Sequence, residues 1–117
     1  MATYSKQKLS GSTNGKAIKV AATSSTGTTI HTAVAGTSDW DEVWLWAVNS
    51  SAAALKLTIE WGETAAPDGN IEVTVPAEAG PLLVVPGLII QNECVVGAFA
   101  ATTNLVLIHG YVNRITA

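Results

Sequence analysis

Glu60 and Glu63 flank Trp61 and Gly62. Two carboxylates beside a tryptophan are the equipment of a glycosidase, where one acid protonates the leaving group and the other serves as base or nucleophile. At this spacing the pair straddles a turn, and ordinary surface charges on a hairpin end are the better account of it. Asp39, Asp41 and Glu42 around Trp40 offer oxygen ligands to a hard cation, but the segment lacks the further ligands and the glycine of a calcium loop. His31 and His109 lie in apolar segments with no Cys, Asp or second His at zinc spacing, which reads as packing or interface histidine. The run Gly11 to Lys16 has three residues between its glycines where a phosphate loop has four, and Ala17 stands where a magnesium-binding Ser or Thr belongs. Cys94 has no Lys, Arg or His beside it to stabilise a thiolate, and no Gly-x-Ser-x-Gly elbow is present. We therefore expect no enzymatic activity, no cofactor and no metal.

The conspicuous side chains are aromatic. The chain has four tryptophans against one Phe and two Tyr, and Trp40, Trp44 and Trp46 fall close together. In an extended segment Trp44 and Trp46 share one face, and Val43, Leu45 and Ala47 share the other. Two assignments follow. Either the aliphatic face fills the core and the tryptophans anchor an interface, or the tryptophans fill the core and the aliphatics meet a partner.

The elements that must carry these residues are short apolar runs rich in Val, Ile, Leu, Thr and Trp, each closed by Gly, Pro, Asn, Asp or Ser, which is strand and turn punctuation. Strands are expected over residues 16–22, 28–34, 41–49, 54–61, 70–75, 82–91 with a break, 93–101 and 104–113. Leu55, Leu57, Ile59 and Trp61 alternate with Lys56, Thr58 and Glu60, so that strand has one wet face. The runs Val43 to Val48 and Leu105 to Ile108 are apolar on both faces, and their second face calls for cover by another chain or a terminal segment. No helical period is present. The expectation is an all-β, single-domain β-sandwich of about eight antiparallel strands, jelly-roll-like, over residues 16–117. Residues 1–15, with Tyr4, Lys6, Lys8 and a Gly- and Ser-rich stretch, read as a flexible N-terminal arm.

Length and composition fit one domain whose work is contact. The chain has 117 residues, of which only 13% are charged and 48% hydrophobic, a neutral surface that suits a protein covered by partners. Six basic residues and a net charge of -3 argue against nucleic-acid binding. No apolar run approaches the ~20 residues of a membrane span, and no signal peptide opens the chain, so synthesis in a cytosol is expected.

The segments Asp41 to Asn49, Leu57 to Gly62, Val84 to Gly87 and Gly110 to Ile115 resemble small virion proteins of tailed bacteriophages, over most of residues 28–115. The resemblance is to capsid-associated cement or head-decoration proteins, and it implies a compact β-sandwich on the capsid surface that bridges subunits of the major capsid protein as a homotrimer. A head-fibre base, neck component or tail decoration has similar composition. Under this reading Trp40, Trp44, Trp46, Tyr4, Lys6 and Lys8 are the interface residues. A carbohydrate-binding β-sandwich with exposed Trp platforms is the alternative from another class.

Overall fold

The computed structural model describes residues 2–117. Nine strands are present among them, and no helix: β1 (Thr3–Lys8), β2 (Ile18–Lys19), β3 (Thr28–Thr32), β4 (Trp40–Asn49), β5 (Leu55–Trp61), β6 (Asn70–Val75), β7 (Leu82–Ile90), β8 (Val95–Ala100) and β9 (Val106–Thr116). They form two antiparallel sheets. Sheet A runs β1-β9-β4-β7, with β2 also on β9, and sheet B runs β3-β8-β5-β6.

From β2 onward the pairing is nested: β5 with β6, β4 with β7, β3 with β8 and β2 with β9. That is one long hairpin of paired strands, rolled up so that β9 also meets β4 and β8 also meets β5. The expected β-sandwich is present, and this nesting is what makes it a jelly roll.

Alternation dictates the core. In β4, Val43, Leu45 and Ala47 are completely removed from solvent, and with Ile108 and Val112 beside them in sheet A and Leu57, Ile59, Val96 and Ala98 of sheet B they form the shared interior. Trp44 and Trp46 point the other way and stay partly exposed. The aliphatic face therefore fills the core, and the tryptophans lie outside it.

The strand expected over residues 16–22 is reduced to the two residues of β2, and two further departures have physical reasons. The break expected in the run over residues 82–91 is not a turn. Pro86 lies opposite Trp44 while Leu88 lies opposite Val43, so Gly87 is the extra residue of a bulge and the strand continues. The closing strand reaches Thr116, because β1 pairs with its second half from Tyr111 to Thr116.

The segment expected as an arm, residues 1–15, contains one of these strands. Residues 3–8 are a strand joined to β9 through backbone hydrogen bonds, although every one of its side chains is exposed. Beyond it Leu9 is buried, and Gly11 donates its N–H to Ile30 O at 3.0 Å. A Cβ on Gly11 would sit 2.6 Å from two carbonyl oxygens of β3, so only glycine allows this close crossing.

Candidate functional site

Opposed residues of an antiparallel ladder share a face, so the register defines what sheet A shows to solvent. One row is Lys8, Tyr111, Trp44 and Pro86, and the next is Lys6, Asn113, Glu42 and Ile89. A third row joins Tyr4, Ile115 and Trp40, and on the other side of the aromatic row lie Trp46, His109 and Leu83. Lys19 sits opposite Leu107 at the β2 edge. The six residues singled out in the sequence thus share one face.

The centre of that face is built. Trp44 stacks on Trp46 with ring centroids 6.3 Å apart, and Trp46 stacks on Tyr111 at 5.9 Å. Lys6 Nζ lies 4.6 Å from the centroid of the Tyr111 ring. At the far end the Trp44 indole lies over Gly87, where an added Cβ would come within 2.8 Å of the ring. Gly87 has φ of 77°, a conformation that favours glycine and lets the bulge lie flat beneath the indole. Glu42 pins the group: its Oε1 accepts from Trp44 Nε1 at 2.8 Å and from Asn113 Nδ2 at 3.0 Å. These two bonds, Asn113 first, hold the Glu42 carboxyl below its usual range.

Around this centre Tyr4, Trp40, Leu83 and Ile89 are exposed, Ile89 by 57%. A sheet of four strands spaced ~4.8 Å and ten residues long spans roughly 600 Å², comparable with the ~800 Å² that one partner contributes to a standard protein interface. Tyr111, Lys19 and Leu83 escaped the sequence reading, whereas His109, read there as a packing or interface histidine, stands on this face opposite Trp46. Nothing in the chain announces that β9 lies beside β4, and only the register brings them in.

The reactive side chains are engaged elsewhere, in structural bonds. Asp41 is sealed in the interior, where its carboxylate accepts from Arg114 Nε at 2.8 Å and Nη2 at 3.1 Å, and from Val34 N–H at 3.1 Å. His31 Nε2 lies 2.7 Å from the same carboxylate. The Ser10 N–H can only donate, so His31 Nδ1 accepts from it at 3.0 Å and Nε2 carries the proton that faces Asp41. Burial raises the Asp41 carboxyl, but the hydrogen bonds from Arg114 and His31 and the charge of Arg114 outweigh it and hold it below its ordinary value of 3.8. Asp41 is therefore spent on the fold and does not join Asp39 and Glu42 as a cation ligand. Among the described residues no group of three or more His, Cys, Asp or Glu could hold a metal ion.

Glu60 is buried as well. Its carboxylate accepts from Ser25 Oγ at 2.6 Å and Gly27 N–H at 2.7 Å, fastening residues 25–27 over the outer side of sheet B. An open cleft of about 520 Å³ lies beside it, with Thr26, Glu63, Asn92 and Glu93 on its walls. Glu63 is exposed there, whereas both Glu60 oxygens are already committed, so the two do not present a paired acid and base. No family model, no curated protein and no solved structure matches this chain.

Proposed function

We propose that the chain is a non-enzymatic structural protein of a phage virion, a cement or decoration module that binds and bridges major capsid protein subunits through the outer face of sheet A. The observation that carries this reading is the stack of Trp44, Trp46 and Tyr111, held in place on a face the monomer core does not use. Ordered aromatic anchors ringed by further apolar residues are what gives an interface its binding energy. The resemblance of residues 28–115 to cement proteins supplies the virion and its capsid as the setting, with synthesis in the host cytoplasm. It also supplies the homotrimer, and the bare outer edge of β1 offers a place for a neighbouring copy.

The platform of tryptophans also favours a glycan-binding reading, since sugars stack on exposed rings. Here the rings spend their faces on one another and on Lys6, which supports protein contact over stacking of a sugar. Co-sedimentation with capsid shells and titration with bacterial surface glycans separate the two. Pelleting with shells and unchanged Trp emission with glycans support the cement reading; quenched emission and no pelleting would replace it with the glycan one.

A further inference from the structure

The charges of the chain are segregated. Residues 1–19 contain four lysines and no acid, while residues 20–117 hold all nine acids against Lys56 and Arg114. Those two cations are paired, Lys56 with Glu72 and Arg114 with Asp41. The N-terminal lysines form no ion pair among the described residues, and the register places Lys6, Lys8 and Lys19 along one flank of the aromatic face. The strands of sheet A carry only two carboxylates. Asp41 is buried, and Glu42 is tied down by Trp44 and Asn113.

From this we propose that the surface docked by sheet A is an acidic protein surface, with an apolar centre for Trp46, Leu83 and Ile89 and carboxylates along one side to meet Lys6, Lys8 and Lys19. The inference rests on the virion reading above and specifies the chemistry of the partner. A second copy placed face to face offers these lysines no free carboxylate, because Asp41 is buried and Glu42 is already engaged, which opposes that arrangement. A single nucleic-acid strand would want open ring faces for its bases. In this face the rings stack on each other, and the apolar β7 flank with Leu83, Pro86 and Ile89 has no counterpart on a phosphate backbone. The lysines steer and orient, and the apolar centre holds.

The probe is the DNA-free capsid shell of the phage that encodes the chain, prepared without it. Wild-type protein should co-sediment and lose affinity as NaCl is raised. The combined Lys6→Glu, Lys8→Glu and Lys19→Glu variant should bind at least about tenfold more weakly at an unchanged melting temperature, because all three side chains are exposed. The corresponding Arg variant should bind as wild type. Shells whose carboxylates have been amidated with carbodiimide and ethanolamine should bind both the wild type and the Arg variant more weakly, by a similar factor, and without salt dependence. Binding undiminished by both charge reversal and amidation overturns the acidic partner and leaves the virion reading standing. Wild-type protein that stays in the supernatant overturns both. Tight, salt-sensitive binding of oligothymidylate by the wild type, lost in the Glu variant, overturns the proposal in favour of a nucleic-acid strand.

Discussion

His31 of β3 and Asp41 of β4 are joined across the two sheets, with Nε2 2.7 Å from Oδ2 and both side chains closed off from water. Arg114 completes the group from β9, and Ser10 ties it to the N-terminal segment. The Asp41 carboxyl titrates lower in the folded chain than the ordinary value of 3.8. Stability from this shift is therefore full above the unfolded value and is lost as pH falls through the folded one. Urea midpoints should fall as pH drops from about 5 toward about 2, and Asp41→Asn should flatten that slope while costing roughly 3 to 5 kcal/mol at neutral pH. A slope that Asp41→Asn leaves intact would assign the acid sensitivity to other carboxylates.

The two faces of β4 should separate stability from binding. Leu45 has no exposed surface, so Leu45→Ala should destabilise the monomer by roughly 2 to 5 kcal/mol in a denaturant titration. Trp44→Ala removes a partly exposed ring outside the core and should cost clearly less. Equal losses for both variants would contradict the assignment of faces.

The N-terminal segment divides between Lys8 and Leu9. Removing residues 1–8 takes away exposed side chains and one edge ladder, and the melting temperature should move little. Removing residues 1–15 also discards buried Leu9, the Gly11 crossing and the Ser10 bonds to His31 and Thr32. Burial of Leu9 alone contributes about 1.5 to 3 kcal/mol. Thermal melts of the two truncations should differ accordingly, and coincident melts would show that residues 9–15 add nothing.

Much of this was legible in the chain. Strand positions followed from apolar runs and turn residues, and the tryptophans declared themselves by number. The choice between the two faces of β4 did not follow, because Val43 to Val48 is apolar on both sides and alternation alone cannot say which side meets the second sheet. Tyr111 joins the site through a register set by long-range pairing, and β1 orders through backbone bonds to which composition is blind. The buried group of His31, Asp41 and Arg114 brings together residues up to 83 apart, so spacing rules had nothing to find.

Gly87 couples the bulge to the site. Gly87→Ala places a methyl against the Trp44 ring and strains a backbone at φ of 77°. A destabilisation of about 1 to 3 kcal/mol is expected, with a shift in tryptophan emission as the indole is lifted. An unchanged spectrum and melt would show that Trp44 does not rest on this bulge.

The most direct measurement is the affinity of Trp46→Ala for capsid shells, read beside its melting curve. Trp46 stands in the middle of the stack and outside the core, so the variant should fold and melt close to wild type. Its binding should weaken by about 2 kcal/mol or more, roughly thirtyfold. A folded Trp46→Ala protein that binds shells as tightly as wild type would contradict the aromatic face as the docking surface.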